Sequence, residues 1–424
     1  MGARDESPSR TFRARLALVV AAGFAWRLLY VLRWKGDDDL LTDEGVALYY
    51  SAQAHLNARG HFFQHPLGGQ GPAADHPPIT ALVLTPVSWI ESHLVLAQRL
   101  VMVALGTAAI AVVGLLGRRV GGDRVGVVAA ALAAVHAPLW ANDGLLMAET
   151  PTALLVAALL WCAIEVYDDP SPRRLLLLGA LAGLATLTRA EQALLFGLLL
   201  VPLLARRGAW WRDRLRPVVV AGLAAGLVVA PWVAWNLVRF EEPTLLSTND
   251  GLTILGANCH TTYYTPAIGF WDLGCALSHP VEGDGSVQSA EWRAAGLRYL
   301  RDNAGRLPKV VAARVGRVWG IYRPDHMVWF NTGEGREPWV SWTAVYQHAA
   351  LLPAAAAGAV VLRRRRRVLW PLLAPALSVT ATAALFYGIV RFRVPADVAM
   401  VVLGAVAVDR ALDRWWPSRR AAPG

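Results

Sequence analysis

Long apolar stretches alternate with short polar ones along most of the chain. The apolar runs fall near residues 16–33, 94–116, 125–141, 150–167, 175–188, 191–205, 217–237, 345–362, 368–389 and 395–412. Runs of this length without strict alternation predict helices. Several are shorter than the roughly 20 residues that cross a bilayer, and the bounds of the 175–188 and 191–205 pair can shift by several residues. The pattern breaks twice, over 34–93 and 238–344. Within the second break, Trp292, Leu297, Leu300, Val310, Val311, Val315, Val318 and Trp319 recur at amphipathic helical spacing, which predicts helices lying along a membrane surface. The expected architecture is an all-α polytopic membrane protein of about 10 spans. It divides into an N-terminal module, 1–237, with a long first loop at 34–93; a segment of turns and short helices, 238–344; and C-terminal helices with a basic tail, 345–424.

Composition agrees. Of 424 residues 55% are hydrophobic and 17% charged, where a soluble domain has about 25% charged. The mean hydropathy is +0.38, which excludes a disordered chain and argues against an ordinary soluble globule. The net charge of +10 comes almost wholly from arginine, because Lys35 and Lys309 are the only lysines. A basic chain also suits nucleic acid. Here the arginines sit between apolar runs, where cytoplasmic loops carry them, so no nucleic-acid partner is expected.

Those arginines set a topology. With the N-terminus inside, the inner segments carry Arg118, Arg119 and Arg124; Arg173 and Arg174; Arg206, Arg207, Arg212, Arg214 and Arg216; Arg363 to Arg367; and Arg419 and Arg420. The short opposite loop 142–149 has neither Lys nor Arg. A basic start followed by the 16–33 run also fits a signal peptide, but its length and the lack of a small-x-small cleavage site favour a retained first helix. Both termini are expected in the cytoplasm of a bacterial plasma membrane, with 34–93 and 238–344 outside. Cys259 and Cys275 then lie where thiols oxidise. A disulfide between them is expected, with two free thiols as the other reading.

Candidate chemistry gathers at the outer helix ends. Asp37, Asp38 and Asp39 precede Thr42-Asp43-Glu44-Gly45, ahead of a helical pattern containing Tyr49 and Tyr50. Carboxylates there cap a helix, or supply a base that takes a proton from a hydroxyl. Asp75-His76-Pro77-Pro78 enters the next apolar segment, and as a helix entry it needs no function. Glu149 falls where a span begins, a costly place for a carboxylate that is often functional. Arg189 and Glu191 lie between two spans and either pair together or hold a phosphate. Arg391 and Arg393 lie at an outer helix end, against the charge trend, and either snorkel or bind an anion. Arg27, inside the first run, needs a partner or a polar cavity. Metal binding is open: His55, His61, His65 and His76 lack ligand spacing, and there is no Walker loop or dinucleotide glycine pattern.

Taken in order, these motifs resemble those of the bacterial GT-C glycosyltransferases related to protein O-mannosyltransferases and lipid A aminoarabinose transferases. The matching elements are Thr42-Asp43-Glu44-Gly45 with Tyr49, His76-Pro77-Pro78, Glu149, and Thr188-Arg189-Ala190-Glu191. Ser247-Thr248-Asn249-Asp250-Gly251 leading to Gly256-Ala257-Asn258 follows, and then Arg391-Phe392-Arg393-Val394-Pro395. Each is short; their order across nearly the whole chain carries the likeness. The resemblance implies a GT-C transmembrane helix bundle with the site on extracytoplasmic loops, and a polyprenyl-phosphate sugar as donor. The acceptor would be a hydroxyl of a cell-envelope glycan, lipid or protein. It assigns Asp43 as base, with Glu44 orienting it or binding a divalent metal, and Glu149 as a further catalytic carboxylate. Arg189, Arg391 and Arg393 would hold the donor phosphate, with His76, Glu191, Asn249 and Asn258 as further site candidates. Inversion at the anomeric carbon is expected. Family members with a large C-terminal domain use it to recognise the acceptor; here that role falls to 238–344. A transporter or flippase of lipid-linked sugars is the alternative, although no inverted repeat is visible.

Overall fold

The computed structural model describes residues 9–36, 45–67, 71–90, 94–205 and 211–415. In its first half lie α1 (Arg10–Tyr30), α2 (Val46–Ala58), α3 (Ile79–Leu84), α4 (Leu94–Gly121), α5 (Asp123–Val135), α6 (Ala137–Trp140), α7 (Glu149–Asp168), α8 (Pro172–Thr186), α9 (Gln192–Leu204) and α10 (Trp211–Arg239). Shorter helices follow: α11 (Asn249–Ala257), α12 (His260–Tyr264), α13 (Gly274–Leu277), α14 (Gly285–Asp302), α15 (Leu307–Val318) and α16 (Pro324–Gly333). The chain closes with α17 (Pro338–Arg364), α18 (Trp370–Leu385) and α19 (Val394–Trp415). Among the described residues no strand forms; Gln64 and Pro72 make an isolated bridge.

All ten apolar runs coincide with helical segments. The bounds differ most at 345–362, where α17 begins at Pro338. Proline is at home in a first helical turn, whose N–H groups have no intrahelical partner, so the helix starts in polar sequence. The segment Arg10–Lys35, α4, α7, α10 and α17 are long and apolar enough to cross a membrane. A bent pair, Asp123–Val135 with Ala137–Leu145, makes a sixth, and α9 and α18 are shorter apolar helices. The protein is a multi-pass helical membrane protein.

Helix α7 is the axis of the bundle. Within its apolar window 67% of residues are buried, against 22% in the first span and 17% in α10, whose remaining apolar surface suits lipid. Its neighbours are α4, α8 and α19, while α17 lies along α19. The last contact needs Gly358, where a Cβ would stand 1.9 Å from the Leu403 carbonyl oxygen. Small residues let helix backbones approach in this way when burial from water cannot drive them together.

The 125–141 run is broken. His136 is extended, Pro138 opens the next turn, and the chain bends by 73°. The bend carries Asp143 into the bundle, where it meets Arg27 of α1. Arg27 also donates to the Leu139 carbonyl at 3.0 Å, and Asp143 accepts from Thr150 Oγ1 at 2.8 Å. Both charges are at most 1% exposed. Removing one partner of such a pair strands the other charge, at about 3–5 kcal/mol. Arg27→Leu is therefore expected to lower the thermal midpoint in detergent markedly. Arg27→Leu with Asp143→Leu should recover much of the loss; if the double variant is worse than the single, the ion pair is not the reason.

Candidate active site

The site lies where three helix junctions meet. The first precedes α7: Leu146 adopts a left-handed conformation, φ 51°, uncommon for a residue with a side chain, and the chain then turns into Glu149. The second follows α8. Leu187 O accepts from Ile79 N at 3.1 Å, and Thr152 Oγ1 lies 3.3 Å from Thr188 Oγ1, tying this turn to both α3 and α7. Arg189 projects from it. The third is the 3-10 turn Val390–Arg393 between α18 and α19, which supplies Arg391.

Glu149 is 1% exposed. Its Oε1 accepts from Arg189 Nη1 at 2.5 Å and from Arg391 Nε at 2.7 Å. Its Oε2 is buried and meets no donor among the described residues. Arg189 also donates to Glu191, and its guanidinium stands 5.2 Å from the centre of the Phe392 ring. Arg391 Nη1 donates to Glu334 Oε1, whose second oxygen accepts from Arg336 Nη1 at 2.6 Å. Arg336 Nη2 then reaches Asn142 Oδ1 at 2.7 Å. The result is a chain of alternating charges, Glu191–Arg189–Glu149–Arg391–Glu334–Arg336. Burial works to lower the Arg391 pKa, but the carboxylates of Glu149 and Glu334 outweigh it and hold the group well above the usual arginine range.

A cavity of about 230 Å³ opens beside this chain. Arg336, Arg391 and Arg393 border it, and Trp319, Met327 and Leu352 are among its apolar walls. Cations set against an apolar cleft suit an anionic head on a hydrocarbon body.

His76 packs against α2. Its ring centre lies 5.1 Å from those of Tyr49 and Tyr50 of α2. The neighbouring Asp75 accepts from Thr248 Oγ1 at 3.0 Å, which brings the 238–344 segment over this loop. Burial, reinforced by the guanidinium charges of Arg391 and Arg189, pushes His76 down to about 3. An unfolded histidine titrates near 6.5. Between those values the unfolded chain binds a proton that the native state refuses, so this group's contribution is complete above about pH 6.5 and is lost as pH falls towards 3. We expect the acid loss of stability to be shallower in His76→Gln than in the parent, by up to about 1.4 kcal/mol per pH unit. Parallel slopes in thermal unfolding across that range would refute this.

The other sequence candidates among the described residues make no hydrogen bond or ion pair with Glu149. Arg393 is buried and donates through Nε to Asp397 Oδ1 at 3.1 Å, with His136 and His348 on the same carboxylate. Asn249 opens α11, and the adjacent Asp250 pairs with Arg293. Asn258 is buried, and its Oδ1 accepts from Tyr263 Oη and Arg314 Nη2 at 2.8 and 3.0 Å. Cys259 and Cys275 are joined by a disulfide. Asp43 and Glu44 lie outside the described residues. Glu334 and Arg336 are not among the sequence candidates; their signal is a charged pair in the Gly333-Glu334-Gly335-Arg336 turn directly before α17. Among the described residues, one acidic and thiol group has metal-binding spacing, Cys259, Asp272 and Cys275, and its two sulfurs are bonded to each other. Among the described residues the ion-pair partners of Glu149 are guanidiniums, which fit an anion and not a divalent cation.

Residues 75–235 match the family model described as dolichyl-phosphate-mannose-protein mannosyltransferase. No curated protein matches the chain by sequence. Among solved structures, the Archaeoglobus fulgidus oligosaccharyltransferase tethered to an acceptor peptide superposes with a TM-score of 0.56 at 15% identity, over 96% of this chain and 51% of that one. The chain has the GT-C fold. The same enzyme in complex with zinc and sulfate gives 0.52 at 16% identity, over 94% and 49%. ArnT from Cupriavidus metallidurans, bound to undecaprenyl phosphate, gives 0.47 at 16% identity, over 98% and 82%. The chain spans about half the length of the archaeal oligosaccharyltransferase. Of the residues described above, the family match takes in His76, Glu149, Arg189 and Glu191; Glu334, Arg336 and Arg391 lie beyond it.

Proposed function

We propose that this protein is a membrane glycosyltransferase that moves a sugar from a polyprenyl-phosphate donor to an acceptor hydroxyl on the extracytoplasmic side. The observation that carries the reading is the Glu149–Arg189–Arg391 cluster, whose Arg391 borders a largely apolar cavity. A lipid phosphate has the same two parts, an anion and a hydrocarbon chain. A donor held in the membrane also suits a site remote from cytoplasmic nucleotide sugars.

In the proposed reaction Asp43 takes the proton of the acceptor hydroxyl, whose oxygen attacks the anomeric carbon from the face opposite the phosphate. The bond between that carbon and the phosphate oxygen breaks, and its electron pair leaves with the lipid phosphate. The configuration inverts. Positive charge grows on the sugar ring, as in glycoside hydrolysis, and Asp43 and Glu149 lie on its side of the balance. Negative charge grows on the phosphate, where Arg189 and Arg391 stabilise it in a site of low dielectric. Glu44 orients Asp43 or holds a divalent cation. Arg393 borders the same cavity and takes part in donor binding, whereas Asn249 and Asn258 shape the 238–344 segment that covers the site.

The test is incubation of the purified protein, in detergent or liposomes, with a panel of radiolabelled polyprenyl-phosphate sugars. Sugar release or transfer that depends on Asp43 supports the reading. Movement of the lipid-linked sugar across the bilayer without turnover would replace it with a flippase.

A further inference from the structure

The charge chain at the site is electroneutral as it stands: Arg189, Arg391 and Arg336 oppose Glu191, Glu149 and Glu334. A phosphodiester brings at least one more negative charge. Admitting it while all three carboxylates stay would leave excess charge in a largely desolvated place. One carboxylate has to give way.

Glu149 is poorly suited to leave, being 1% exposed, fixed at the start of α7 and held by two guanidiniums. Glu191 engages Arg189 alone. Glu334 is 14% exposed, so it is less enclosed than Glu149, and unlike Glu191, which is 19% exposed, it bridges two arginines: its two oxygens each take one guanidinium N–H, as two oxygens of a phosphate would. Both of its arginines border the 230 Å³ cavity. It sits between Gly333 and Gly335, the latter with φ 87°. The turn itself is fixed, since Lys35 Nζ donates to the Gly335 carbonyl at 2.5 Å and Arg336 N to the Asn331 carbonyl at 3.0 Å. Rotation of the side chain alone is enough to withdraw the carboxylate. Arg336 stays oriented when Glu334 leaves, because Asn142 Oδ1 accepts from its other nitrogen at 2.7 Å.

We infer that Arg336 and Arg391 form an anion subsite for the donor phosphate, and that Glu334 occupies it until the donor arrives. The identity of the anion rests on the lipid-donor reading above; the subsite rests on the geometry. After transfer the lipid leaves as a phosphomonoester, and the returning carboxylate competes with it, which speeds product release.

The test is equilibrium binding of polyprenyl phosphate to the full chain in detergent. Glu334→Gln keeps the shape and removes the competing charge, so it should bind at least tenfold more tightly than the parent. Arg336→Gln should bind at least tenfold more weakly. Unchanged or weaker binding by a folded Glu334→Gln protein overturns the inference and leaves Glu334 as a strut for the two arginines. If that variant does not fold, Glu334→Asp decides. Its shorter carboxylate cannot span both guanidiniums, so binding should tighten severalfold, and parent-like affinity overturns the inference. Should polyprenyl phosphate bind to none of the proteins, the lipid-donor reading falls and inorganic phosphate decides the subsite. Tighter phosphate binding by Glu334→Gln retains it, and equal binding overturns it.

Discussion

Asp43→Asn is expected to reduce sugar transfer by about 10²- to 10⁴-fold, the usual worth of a positioned general base. Asparagine matches aspartate in size and keeps an acceptor oxygen, but its amide cannot take the hydroxyl proton. Folding and polyprenyl-phosphate binding should persist, because the proposed phosphate contacts come from Arg189, Arg336 and Arg391. Transfer assays on the purified variant, run beside a binding assay, check both halves. Parent-like turnover would remove Asp43 from the mechanism. Loss of folding would make its role structural.

Glu149→Gln should fail differently. Its Oε1 is shared by two guanidiniums and the side chain is 1% exposed, so the substitution leaves Arg189 and Arg391 facing each other with no charge between them. Breaking a buried ion pair in this way costs about 3–5 kcal/mol. The thermal midpoint should fall well below that of Asp43→Asn, and transfer should fall with it. Adding Arg391→Gln should restore part of the stability, by removing one of the repelling charges, and none of the activity. Full activity in Glu149→Gln would show that the carboxylate neither orients the arginines nor serves the reaction.

Much of this molecule is legible in the sequence. A long apolar run leaves few alternatives to a helix, so the ten helical segments could be read before their packing was known. The GT-C fold could be read from the order of short motifs. Charged residues at the ends of apolar runs are conspicuous, because each stands against a local hydrophobic trend. That contrast picks out Glu149, Arg189 and Arg391, which meet within one cluster. The same contrast is absent from 238–344, where polar residues are the background, and Glu334 and Arg336 carry no comparable signal there. Arg393 illustrates another limit. It stands two residues from Arg391 in a 3-10 turn, which points the two side chains differently, and its partner is Asp397 one helical turn on. Motif reading groups the two arginines, whereas the turn geometry separates them.

The counter-charges of Glu149 come from distant parts of the chain, with Arg391 lying 242 residues further on. At about 5–20 residues per second, a ribosome needs roughly 10–50 s to make that stretch. For that interval α7 is already made, and its first carboxylate lacks one of its two guanidiniums. A polypeptide truncated between Arg189 and Arg391 retains that imbalance permanently. Uncompensated charge at the edge of the bilayer would thus distinguish an interrupted translation product from a finished one.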